Sequence, residues 1–224
     1  MKEDILEQLT ADYLNHHGYF TVCNVKYKPD AADPDYNSRQ DCVASDIDVM
    51  AYNPLKTGAD RVWVVTCKSW QSGFWPQWEL DHMEKTVSGR EGWRRYRELW
   101  QPKWSRALAA EVERRTGAKE FTHCTAVTVI GNGRNGTDDP RFSTDPWTTC
   151  QRFRQNLPTA RFTVLDMPKM VEEVLSAMTN TVANSDLGRT LQLLRACGFY
   201  LQLEETEPVP DLQEERPDDR DSSA

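Results

Sequence analysis

The stretch that most limits what this chain can become is ASDIDVMAYNPLKTGADRVWVVTCKSWQ, residues 44 to 71. SDIDVMAY ends at Asn53-Pro54, and after a loop with Lys56, Gly58 and Asp60 the β-branched, aromatic-rich RVWVVTC resumes an extended pattern. Such segments suit buried sheet, so two consecutive strands pairing as a hairpin are expected. Side chains two apart on a strand share a face. Asp46 and Asp48 therefore fall together on the first strand, and Thr66 and Lys68 on the second.

A carboxylate near a sheet needs a cation, an ammonium partner or solvent. A divalent metal on Asp48 beside Lys68 would place a water against a phosphate, with the lysine stabilising negative charge. A structural Asp48–Lys68 ion pair satisfies the same residues, as does Asp46 acting as a strand-edge turn residue, and these readings stay open.

Around this core the chain reads as an α/β protein. Glu3 to His16 has helical periodicity with Ile5, Leu6, Leu9, Tyr13 and Leu14 inward and a stop at Gly18; Tyr19 to Tyr27 follows as a strand. Lys28 to Gln40 is a polar loop, read as a mobile connection or a segment reaching substrate. Beyond Lys68 come Trp70, Phe74, Trp75 and Trp78, whose default role is covering core. A long helical region is expected from Glu79 to about Trp100, then a helix from Trp104 to Arg115 ending at Gly117. A strand at His123 to Ile130, another at Arg161 to Leu165, and helices at Pro168 to Met178 and Asp186 to Phe199 complete the pattern. The loop GNGRNGTDDP lacks the Gly-Lys-Ser/Thr ending of a phosphate loop.

The strands and first helix together resemble the PD-(D/E)XK nuclease superfamily, the restriction-endonuclease-like fold, and its Mrr-like group in particular. The resemblance is carried by Ile47-Asp48-Val49, by Val64-Val65-Thr66-Cys67-Lys68-Ser69-Trp70, and by a preceding helix bearing Glu7 that runs into His17-Gly18-Tyr19-Phe20. It implies a three-layer α/β/α domain with an αβββαβ core and mixed central sheet. It also implies Mg²⁺-dependent (or Mn²⁺-dependent) hydrolysis of DNA, with Asp48 as metal ligand and Lys68 as catalytic lysine. The family's second acid falls on Thr66, which offers only a hydroxyl. Glu7, or in reserve Asp46, is expected to complete the metal site, while Gln71 and Thr66 are candidate substrate contacts. A catalytically inactive nuclease-fold protein serving as a nucleic-acid-binding or scaffold subunit is the alternative. So is an interaction module in which Asp48 and Lys68 are only a salt bridge.

Arg90, Arg94, Arg95, Arg97, Lys103 and Arg106, interleaved with Trp93, Tyr96, Trp100 and Trp104, form the one concentrated basic segment. It reads either as a phosphate-binding face, with Arg94, Arg95 and Arg97 as contacts, or as a solvated helix face over an aromatic stripe. The net charge of −8 does not oppose nucleic acid: residues 204–224 hold nine acids and two arginines, a balance of −7 that leaves −1 for residues 1–203. One domain over 1–203 and a disordered acidic tail over 204–224 are expected. The six cysteines show no CxxC pair, which disfavours disulfides and structural zinc. With no membrane-length apolar run and no signal-peptide core, a soluble cytoplasmic protein is expected. RNA remains open as substrate. Double-strand cutting would call for a homodimer or a partner subunit in a larger system, in the restriction or host-defence setting that the resemblance implies.

Overall fold

The computed structural model describes residues 4–87, 89–131, 142–177 and 185–198. The glycine-rich loop beyond Gly131 and the acidic tail lie outside these residues.

Asp4 caps the first helix, α1 (Ile5–His16), accepting from the Leu6 N–H at 2.8 Å; Gly18, at φ +79°, lets the chain leave it. Leu6, Leu9, Tyr13 and Leu14 are buried as expected, but Ile5 is 60% exposed. Strands β1 (Phe20–Tyr27), β2 (Ser45–Tyr52) and β3 (Val62–Lys68) form an antiparallel run, as the β-branched segments required. Helix α2 (Pro76–Met83) begins with proline at its first turn, where no amide is missed.

The expected continuous helix from Glu79 to Trp100 is not formed. Helix α2 stops at Met83, a two-residue ribbon of β4 (Thr86–Val87) and β5 (Arg90–Glu91) intervenes, and a 3₁₀ turn over Gly92–Tyr96 leads into α3 (Arg97–Trp100). Gly92 explains the break: a Cβ there would lie 2.1 Å from the His82 carbonyl oxygen, a closeness that glycine alone accepts. Helix α4 (Pro102–Thr116) ends on Gly117 in the left-handed region, φ +69°, as its sequence predicts.

Strand β6 (Phe121–Val127) lies parallel to β3 and is buried throughout. Two short helices, α5 (Asp145–Thr148) and α6 (Gln151–Asn156), which no periodicity announced, lead to β7 (Ala160–Asp166), parallel to β6. Helices α7 (Met167–Ala177) and α8 (Asp186–Ala196) close the described chain.

The sheet order is β1-β2-β3-β6-β7, a five-stranded mixed sheet covered on both faces. Leu9, Leu14, Val49, Val65, Cys124, Met170 and Val174 form the core under α1 and α7. Val64, Tyr96, Leu99, Trp104, Phe121, Trp147 and Phe153 form the other, under α2 to α6. Among the described residues no helix is long and apolar enough to cross a membrane.

The loop before β2 is pinned, not a loose connection. Asp41 and Lys103 form a buried ion pair at 2.7 Å, the Trp104 Nε1–H donates to Asp41 at 3.2 Å, and Arg106 binds Asp33 and Asp35 at 2.8 and 3.0 Å. These bonds fasten residues 33–41 to α4, and through it to the helices over one face of the sheet.

Candidate functional site

The sheet opens at Asp48. Strand pairing between β2 and β3 stops at Val49↔Val65, and the β1 pairs Cys23↔Val49 and Val25↔Ile47 flank Asn24, which lies at φ +57°. Asparagine tolerates that region better than other residues with a Cβ. The pleat is interrupted here, with Ile47 packed into one core and Val49 into the other. Strict alternation would have put both on one face, so the expected common presentation of Asp46 and Asp48 is corrected. Asp46 pairs with Lys26, its neighbour across the ladder, at 2.6 Å in an exposed bridge. Asp48 turns toward β3 and its Oδ2 accepts the Cys67 N–H at 2.6 Å.

Where the ladder splays, Thr66 and Lys68 lie on the α2–α6 side. The Thr66 hydroxyl donates to Glu98 Oε1 at 3.1 Å. Glu98, from α3, is only 5% exposed. The His123 ring on β6 brings Nε2 within 3.9 Å of the same carboxylate oxygen, and both its ring nitrogens are buried without a hydrogen-bond partner, as is the Tyr96 hydroxyl. Lys68 sets its ammonium over the Tyr96 ring, 5.3 Å from the centroid. Among the described residues it has no carboxylate oxygen within 4.0 Å, so the simple Asp48–Lys68 ion pair is not made.

Burial is the largest influence on each ionisable group here, and Lys68 acts on all of them. Burial pushes the Asp48 carboxyl up to about 6 against the lowering pull of the Cys67 N–H and Lys68, with Asp46 and Glu98 adding to the rise. Burial likewise raises Glu98, which Lys68 and the Thr66 hydroxyl oppose. Glu79 is driven up to about 7 by burial, opposed by Arg95 and Lys68. His123 is pushed down to about 3 by burial and by Lys68, so it is neutral at physiological pH. Three buried or half-buried carboxylates thus surround one lysine, an arrangement of perturbed acids typical of functional sites.

The other expected residues scatter. Glu7 is half-buried on α1, and its charge reaches Cys67, on the far side of β3 from Lys68. The charges acting most strongly on Asp48 are those of Lys68, Asp46 and Glu98. The basic segment does not form one face: Lys103 is buried against Asp41, Arg106 is held by Asp33 and Asp35, and Arg94 pairs with Glu91 at 3.1 Å. Arg97 lies over the Trp104 ring at 4.8 Å. Only Arg95, 3.7 Å from Glu79 and 5.3 Å over Trp70, joins Lys68 and Gln71 along one cleft. Glu98, Glu79 and His123 were not singled out from the sequence, where Glu98 lies inside the arginine-rich segment.

No family model, curated protein or solved structure matches this chain.

Among the described residues no three His, Cys, Asp or Glu side chains converge as a ready-made metal cluster. Two carboxylates are enough for Mg²⁺, which keeps several waters and is completed by substrate phosphate. Asp48 on β2 and Glu98 on α3 are hard oxygen donors, and the His123 nitrogens beside Glu98 have no hydrogen-bond partner among the described residues. These two carboxylates are of the donor type such an ion takes, and the Glu98 charge acts on Asp48.

Proposed function

We propose that this chain is a divalent-metal-dependent nuclease that hydrolyses DNA phosphodiester bonds, built on a restriction-endonuclease-like α/β/α domain. The observation that carries the reading is the Glu98–Thr66 contact: α3 delivers a carboxylate to the strand position where the resemblance expects an acid and the sequence has threonine. Asp48 and Glu98 would hold the ion, whose chemistry is to activate water and polarise the phosphate. Lys68, half-buried and without a counter-ion within 4.0 Å among the described residues, is set to stabilise negative charge developing on the phosphorus oxygens. The Cys67 N–H fixes Asp48, and Thr66 fixes Glu98, so neither carboxylate must be ordered on binding. Restriction or host defence is the setting that suits such an activity.

The near-complete burial of Glu98 favours a second reading, a nuclease fold that binds nucleic acid without cutting it. Incubation with supercoiled DNA, linear DNA and RNA in Mg²⁺, Mn²⁺ or EDTA, alongside Lys68→Ala, separates the two. The proposal expects DNA cutting that EDTA abolishes and that Lys68→Ala lowers by about 10²–10³-fold, the scale for losing one charge-stabilising group. Binding without cutting selects the second reading; neither binding nor cutting contradicts both.

A further inference from the structure

The chain does not turn away from the site after Lys68. Phe74 donates its N–H to Val129 and accepts from the Gly131 N–H, each at 2.8 Å, which fixes residues 69–75 as a ledge. Gly73, at φ +78°, presses against Gly131 so closely that a Cβ would lie 1.7 Å from the Gly131 oxygen.

This ledge and α2 bound an open cleft of about 790 Å³ that begins at Lys68. Three indoles line it, those of Trp70, Trp75 and Trp78, with Gln71, Glu79 and Arg95 as polar neighbours. Each ring is braced: Trp70 edge-on to Tyr96, Trp75 against Phe142, and Trp78 stacked on His82 with centroids 4.8 Å apart. Core cover alone does not account for them, since Trp78 is 43% exposed. Braced indole faces beside hydrogen-bonding side chains suit a flat, polar-edged heteroaromatic ring, and the volume is in the range of small-molecule pockets.

The geometry points to a nucleobase site: the cleft takes one unstacked base of a DNA strand, while Lys68 lies at the end where the backbone phosphate would pass. This deepens the nuclease reading and rests on it. A base within a duplex has both faces covered by its neighbours, so a base seated here is unpaired or swung out of the helix. The substrate class is therefore DNA with single-stranded, bulged or mismatched nucleotides.

Binding is measured in EDTA, so that cutting plays no part, with oligonucleotides carrying 2-aminopurine in a single strand, in a one-base bulge and in a perfect duplex. The first two are expected to bind at least tenfold more tightly than the duplex and to change 2-aminopurine emission on binding. Trp78→Ala should erase that preference while Trp78→Phe retains most of it, both with wild-type melting temperatures. Equal affinity of wild type for all three DNAs, or a Trp78→Ala protein that folds and keeps the preference, overturns the base site and leaves the nuclease reading standing. No binding to any of the DNAs overturns the base site, and the cleavage assay in Mg²⁺ decides the nuclease reading separately.

Discussion

Asp48→Asn is expected to raise the melting temperature of the metal-free protein at pH 8 while abolishing metal-dependent DNA cutting. The Asp48 carboxyl lies at about 6 in the fold, chiefly through burial, against an ordinary value of 3.8. The folded state therefore binds this proton more tightly than the unfolded chain. Stability from Asp48 is gained as pH falls through 6 and is complete below the unfolded value; above 6 the ionised group costs about 3 kcal/mol. Asparagine keeps an oxygen for the Cys67 N–H and removes the charge. A gain of about 1–3 kcal/mol at pH 8 follows, about 3–10 °C for a domain of this size, shrinking toward zero at pH 4. Glu79 acts in the same direction as Asp48 and His123 in the opposite one, but both are common to the two proteins and cancel in the difference. Loss of a carboxylate proposed to hold the metal should cost about 10³-fold or more in cutting. Thermal melts across pH and a cleavage assay check both halves, and a lower melting temperature at pH 8 would show that the carboxylate is held favourably after all.

Asp41→Ala should be the most damaging single change far from that site. Burial would raise the Asp41 carboxyl, but Lys103, the Asn37 N–H and the Trp104 indole outweigh it and hold it below its ordinary value. Truncation leaves a buried ammonium without its carboxylate, and breaking such a pair costs about 3–5 kcal/mol. It also removes the Lys103 and Trp104 bonds to Asp41 that help fasten residues 33–41 to α4, leaving Arg106 to hold Asp33 and Asp35. Asp35→Ala removes only an exposed partner of Arg106 and should cost less than about 1 kcal/mol. Urea titrations of the two variants check the contrast; equal losses would mean that the Asp41 pair is not what fastens this loop.

What could be read from the sequence was what local pattern determines. The β-branched runs specified β2 and β3, Gly117 ended α4, and the alternating helix and strand signals gave a mixed α/β fold. Of the candidate site, only the part on those strands, Asp48, Thr66 and Lys68, could be nominated from the sequence. Glu98 was hidden because its role depends on a four-residue helix folding back over β3, and a glutamate between arginine and leucine carries no sign of burial. The pleat interruption at Asp48 depends on Asn24, a strand away, and so separated Asp46 from Asp48 in a way alternation does not anticipate. The basic segment looked continuous along the chain, yet the 3₁₀ turn and two helices that carry it point its cations at different carboxylates.

Mn²⁺ titration of the metal-free protein at pH 8, followed by electron paramagnetic resonance, tests most directly whether Asp48 and Glu98 grip one divalent ion. One bound ion in wild type, with affinity lowered at least tenfold by Asp48→Asn and by Glu98→Gln alike, is the predicted result. Wild type that takes up no ion, or both variants binding as wild type does, would contradict it.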